Sequence, residues 1–364
     1  MKNIGLYIHI PFCNGKCPYC DFFSINRNTN DINAYTQALC RKIGELKGKY
    51  HAETVYFGGG TPSCIGTANI IKIMDSINAS FGTNYSECTI EVNPESAKNI
   101  DFSLLKDAGI NRVSMGLQSA NENELKALGR KHSAKDVECA VKLIKASGID
   151  NISLDLMLGI SQQTIESLER SILFCSELDV SHISAYMLKI EQGTPYYDIA
   201  DKLSLPDEDE VCTLYEYTVG RLAELGYAQY EISNFAKKGK ESRHNLKYWN
   251  CEEYLGLGAA AHSFIDKKRF YYERDIDLFY RDVTADDGTG GTEDEYIAMR
   301  LRLSKGINAK DFKAYFGYDI PQKYIDKALK LEKMGYTSCE KESFRLTVKG
   351  FLISNTIITE ILTA

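Results

Sequence analysis

The chain has 364 residues, 44% hydrophobic and 26% charged, a composition that supports a large packed core and argues against disorder. A net charge of -7 leaves no basic footprint for a nucleic-acid partner, and no apolar run approaches the roughly 20 residues that a membrane-spanning helix needs. The first residues lack a small-residue cleavage site and read as a strand, and eleven cysteines, odd in number and mostly scattered, predict reduced thiols in a cytoplasmic protein.

Short β-rich runs then alternate with longer stretches of helical period. Strands are expected at 5–12, 53–57, 88–92, 112–117, 152–158 and 182–188, with helices at 31–46, 70–81, 104–108, 134–147 and 164–178 between and after them. This alternation predicts an α/β fold in which a parallel sheet closes into a partial (β/α)6 barrel of the TIM type. Beyond 203–209 the alternation fades. A helix at 210–225 is followed by aromatic-rich segments at 230–236 and 244–249, a glycine- and alanine-rich stretch at 255–263 that permits close backbone approach, and a flexible connector at 286–292. Helices at 295–303, 321–334 and 347–361 around a hairpin near 341–343 predict a small winged-helix-like unit, without the basic excess that DNA binding would need. The expected division is 1–235, 236–291 and 292–364.

Just after the first strand, Cys13, Cys17 and Cys20 stand in a C-x-x-x-C-x-x-C loop. Three thiolates at this spacing can wrap an iron–sulfur cube and leave its fourth iron open to a ligand. A zinc site would need Asp21 or His9 as fourth ligand, and a redox pair of Cys17 with Cys20 would leave Cys13 unexplained. Other unusual residues fall at the C-terminal ends of the expected strands, where barrels of this kind collect function: Gly58-Gly59-Gly60-Thr61-Pro62, then Glu91, then Gln118-Ser119, with Asp155 inside the fifth strand.

The cysteine spacing, with Tyr19 before the third cysteine, resembles the signature of the radical S-adenosylmethionine (SAM) superfamily. The resemblance implies that Cys13, Cys17 and Cys20 hold a 4Fe-4S cluster whose open iron chelates SAM. It also implies aromatic positions around SAM at Tyr7 and Tyr19, a glycine motif at Gly59, Gly60 and Thr61 for the methionine end, and ribose, carboxylate and adenosine contacts at Glu91, Gln118, Arg130 and Asp155. Glycine would remove the Cβ that blocks a ligand amine from the backbone; a tight turn with positive φ is the alternative reading.

More narrowly, 7–22, 58–62, 230–236 and 244–263 look like the branch that holds oxygen-independent coproporphyrinogen III oxidases and heme chaperones. The oxidase pattern carries a further cysteine two residues beyond the third, where this chain has Phe22, and an extension before the first strand, which here is expected to begin near Gly5. His244-Asn245-Leu246-Lys247-Tyr248-Trp249 resembles a heme-binding element, with His244 as axial ligand and Tyr248 and Trp249 as flat surface for a porphyrin. From the residues alone, a hydrogen-bonded His244 and a core Trp249 remain open. His262 is a second candidate ligand, and His9 reads as structural. The resemblance implies a heme chaperone that carries a 4Fe-4S cluster and SAM and hands heme to acceptor proteins such as respiratory cytochromes, with at most transient membrane-surface contact and with a homodimer in view. The alternatives are oxidative decarboxylation of coproporphyrinogen III and radical SAM chemistry on an unrelated substrate.

Overall fold

The computed structural model describes residues 1–26, 29–341 and 343–363, with residues 29 and 30 described through their backbone only. Each expected strand forms: β1 (Lys2–Ile10), β2 (Tyr50–Gly59), β3 (Glu87–Val92), β4 (Arg112–Gln118), β5 (Asn151–Leu158) and β6 (His182–Met187). They pair in parallel in chain order. The intervening helices are α1 (Thr29–Glu45), α2 (Thr67–Phe81), α3 (Phe102–Asp107), α4 (Ala134–Ala146) and α5 (Ile165–Glu177), followed by α6 (Glu208–Glu224).

Period-two alternation decides which face each residue takes. In β1, Ile4, Leu6, Ile8 and Ile10 are fully buried in the hydrophobic core that the helices share, while Gly5, Tyr7 and His9 point to the other face. The same split gives Val55 and Phe57 against Thr54 and Tyr56, Cys88 and Ile90 against Glu87, Thr89 and Glu91, and Val113 and Met115 against Arg112 and Ser114. The inner face is therefore polar from strand to strand. The sheet curls around it: the start of helix α7 (Arg243–Trp249) touches β3 through Glu87, β2 through Thr54 and β6 through Tyr230, which bonds His182.

The sheet extends well beyond the barrel strands. After β7 (Ala228–Gln229) and β8 (Asn234–Ala236), which close one side, β9 (Tyr254–Leu257) pairs in parallel with β1, and β10 (His262–Ile265), β11 (Lys268–Tyr272) and β12 (Thr284–Thr289) follow it antiparallel. The full order is β12-β11-β10-β9-β1-β2-β3-β4-β5-β6-β8-β7. The expected connector at 286–292 is thus largely the edge strand β12, held by its ladder to β11.

The last part forms α8 (Glu293–Arg300), α9 (Ala309–Phe316), α10 (Gln322–Glu332), a hairpin of β13 (Thr337–Glu340) and β14 (Ser343–Leu346), and two helices, α11 (Val348–Leu352) and α12 (Ser354–Leu362). Glu342, at the expected hairpin turn, lies outside the described residues. The single expected last helix is broken at Ile353, whose backbone leaves the helical region. Winged-helix-like in order, this unit is tied to the barrel by an Ile232 N–H donated to the Arg302 carbonyl at 2.9 Å and by Arg300 on Asn250. No helix among the described residues is long and apolar enough to cross a membrane.

Candidate functional site

The cysteine loop sits at the C-terminal end of β1 and is gripped by the loops after its neighbours. Gly60 N–H donates to the Ile10 carbonyl and Thr61 N–H to the Phe12 carbonyl, each at 2.8 Å. Cys13 Sγ lies 3.4 Å from Thr61 Oγ1, and Arg130, in the loop after β4, donates from Nη1 to Cys17 Sγ at 3.5 Å and from Nη2 to the Gly116 carbonyl at 3.0 Å. From the loop after β6, Tyr196 N–H donates to the Pro18 carbonyl at 3.0 Å while its ring meets Tyr19 edge-on at 6.1 Å. All three thiols are half-buried and free of disulfides. Burial raises the Cys20 thiol first of all, and the nearby Cys17 and Cys13 add to it.

Below the loop lies the polar lumen. Glu91 Oε1 accepts from Tyr56 OH at 2.8 Å, and Tyr56 stacks on Tyr7 at 6.2 Å. Ser114 Oγ donates to Asp155 Oδ1 at 3.4 Å. Burial pushes Glu91 up to about 7 and Asp155 to about 6, against the pull of Tyr56 on Glu91 and of Ser184 and Arg112 on Asp155. Gln118 has φ 69, a left-handed backbone at a bulge between β4 and β5, and this turns its amide back over Gly116, where a Cβ would meet Nε2 at 2.6 Å.

The glycine motif has a packing cause within the chain itself. A Cβ on Gly59 would meet the His9 ring at 2.7 Å and one on Gly60 would meet the Phe12 carbonyl at 2.6 Å, so both residues are glycine because the end of β1 crosses them there. Gly59 also has φ +114, which favours glycine on its own.

The structure encloses His244, which the resemblance implies as an axial ligand. Its side chain is buried at the N-terminal end of the barrel, where Nδ1 meets Thr54 Oγ1 and Nε2 meets Tyr248 OH, each at 2.8 Å. Burial lowers its pKa to about 3, so it stays neutral. Glu87 holds the start of the same helix, accepting from Arg243 N–H at 2.9 Å and His244 N–H at 3.0 Å. Arg302 covers Trp249 at 5.9 Å. With both ring nitrogens engaged, His244 plugs the barrel and reaches no external iron in this conformation. His9 is structural as expected, bonded to Tyr7 OH and the Phe23 carbonyl.

Comparison with known proteins accords with this geometry. Residues 7–175 match the family model described as the radical SAM superfamily, and residues 294–353 match the HemN C-terminal domain. The chain is 35% identical to the heme chaperone HemW of Bacillus subtilis over 96% of its own length and 97% of that protein's, and 32% identical to the heme chaperone HemW of Escherichia coli over 98% of each. It belongs to the HemW family of radical SAM proteins. Coproporphyrinogen III oxidase (HemN) from Escherichia coli, described as a radical SAM enzyme, shares the fold at a TM-score of 0.82 and 22% identity, over 99% of this chain and 90% of that one.

Membership of this superfamily implies a 4Fe-4S cluster and SAM, and the residues present fit both. Among the described residues no three His, Cys, Asp or Glu side chains surround one point as ligands of a single ion do. A cube asks for something else, since each thiolate takes its own iron at a separate corner. For SAM, Arg130 Nε is buried without a partner although the other guanidinium nitrogens are engaged, which leaves a cation short of an acceptor beside the cysteine loop. Sequence reasoning missed Tyr56, Arg112, Ser114 and Ser184. Their signal was present as polar residues at alternate positions of strands otherwise made of Ile, Leu, Val and Met.

Proposed function

We propose that this chain is a heme carrier that holds a 4Fe-4S cluster on Cys13, Cys17 and Cys20 and SAM in the mouth of the barrel, and passes heme to acceptor proteins such as respiratory cytochromes. The observation that carries the reading is similarity over the full length to proteins named heme chaperones, joined to a three-thiol loop gripped by the strand ends. When bound, the cluster supplies an open iron that can chelate the amine and carboxylate of SAM. Around it, Gly59, Gly60 and Thr61 fix the loop that faces the methionine end. Arg130 offers its unpaired Nε to a carboxylate, Glu91 and Asp155 offer acceptors to ribose hydroxyls, and Tyr7, Tyr19 and Gln118 wall the mouth. Phe22, 71% exposed, stands where the oxidase pattern has a further cysteine, which favours carriage over decarboxylation.

The test is an anaerobic heme titration of the cluster-reconstituted protein, with SAM cleavage assayed in parallel. Saturable, stoichiometric heme binding without turnover of coproporphyrinogen III is the expected result. Absence of heme binding together with SAM cleavage that requires coproporphyrinogen III would replace this reading with the oxidase.

A further inference from the structure

Resting on the proposed carriage of heme, the geometry points to His262, on an open face of the sheet beside the cysteine loop, as the residue that ligates the heme iron. An axial ligand must present a free ring nitrogen. His9, His182 and His244 each have both nitrogens engaged, and the buried His132 gives Nε2 to the Leu117 carbonyl; His51, bonded through Nδ1 to the Phe81 carbonyl, keeps Nε2 free but is half-buried at the start of β2, at the end of the barrel away from the cysteine loop. Among the described residues the His262 ring makes no hydrogen bond, and its side chain is 58% exposed.

Its surroundings suit the task. The ring of Tyr271, its cross-strand partner on β11, stacks on it at 4.9 Å and 21°, which fixes the plane of the imidazole. Asp287 Oδ2 lies 3.8 Å from Nδ1. A carboxylate on that side favours the tautomer with the proton on Nδ1 and leaves Nε2 with its lone pair outward, the arrangement that metal-ligating histidines commonly share.

The opposite end of this face is covered. Lower down the same two strands, Arg269 lies over Phe264 at 4.7 Å, bonds Tyr254 OH at 3.1 Å and pairs with Glu295 of α8, so the C-terminal unit covers it. At the upper end Tyr271 is in register with Ala285 on β12, whose small side chain keeps the surface flat. Arg274, with two-thirds of its side chain exposed and its nearest acid, Asp21, 3.9 Å away, can take a propionate, and it links this face to the cysteine loop. Phe22, next to Asp21, adds exposed apolar surface at the border.

The experiment is an anaerobic titration of ferric heme into the cluster-reconstituted protein and its His262→Ala and Asp287→Asn variants, followed by absorption and by resonance Raman bands of the axial ligand. Because His262 is exposed, the alanine variant should keep the fold, and its cluster absorbance checks this. We expect His262→Ala to bind heme at least ~10-fold more weakly and to lose the histidine-ligated spectrum, with added imidazole restoring that spectrum, and Asp287→Asn to weaken binding by up to ~10-fold. Unchanged affinity and spectrum in a His262→Ala variant, while the parent binds heme, would overturn the assignment and leave the carrier reading standing. A parent protein that binds no heme would remove both.

Discussion

The two ends of the barrel are built from similar residues and treat them in opposite ways. At the N-terminal end, polar groups are plugged and matched: Glu87 caps α7, His244 is held by Thr54 and Tyr248, and His182 is held by Ser153 and Tyr230. Thr89 Oγ1 and Arg112 Nε are loose ends there. At the C-terminal end, three thiols stand half-exposed, Arg130 keeps an unpaired nitrogen, and Glu91 and Asp155 hold their protons to about 7 and about 6. Burial without a partner is expensive, and at the C-terminal end the unpaired Arg130 nitrogen stands beside three half-exposed thiols, where a cluster with its SAM would meet it. A histidine in the satisfied end supports the barrel, whatever motif surrounds it.

The sharpest way to break this contrast is at Cys17. Cys17→Ala should abolish the visible absorbance of the reconstituted cluster, since two thiolates cannot retain the cube, and leave the apo fold in place; normal iron and sulfide content in that variant would end the cluster assignment. Next comes the plug. Glu87→Gln removes the anion that faces the buried Arg112 and should cost ~3 kcal/mol in a denaturant melt, with cluster loading per folded molecule unchanged.

Glu91→Gln should do the reverse, weakening SAM binding while relieving the fold. A carboxyl raised from its ordinary 4.5 to about 7 keeps its proton in the folded chain over that interval, so its penalty is absent below the lower value, grows with pH and levels off above the upper one. The variant should therefore gain stability over the parent at pH 8 and lose that gain at pH 4.5. The ceiling is ~3 kcal/mol, reduced by water that reaches the lumen. A gain independent of pH would show that Glu91 is not buried against its charge. Smallest is Ser242→Ala, which removes the side-chain cap on Asn245 N–H and should cost ~1 kcal/mol by thermal melting without touching the upper end.

How much of this was legible in the sequence follows from local periodicity. Strands β1 to β6 and their helices announce themselves because one face of each strand is continuously apolar and each helix carries one apolar stripe. Helix α7 was visible as a motif, but the depth of His244 was not: that is set by Thr54 and Glu87, 190 and 157 residues away. The strands β9 and β12 were missed because glycine and alanine in 255–263 and aspartate and glycine in 286–291 read as loop, and only pairing with neighbours makes them strands. For the glycine motif, packing of His9 and Phe12 already asks for glycine at both positions, and the positive φ of Gly59 agrees with the reading of a tight turn.

The open sheet has a consequence outside the chemistry. A barrel closed on itself has no edges, whereas this sheet has two, and an unpaired strand edge invites another chain to add itself and aggregate. The chain blunts one edge by shortness, for β7 is only two residues long. It guards the other with charge: β12 is exposed almost throughout and carries Asp286 and Asp287 side by side, so that a second copy approaching edge to edge would meet its own acids.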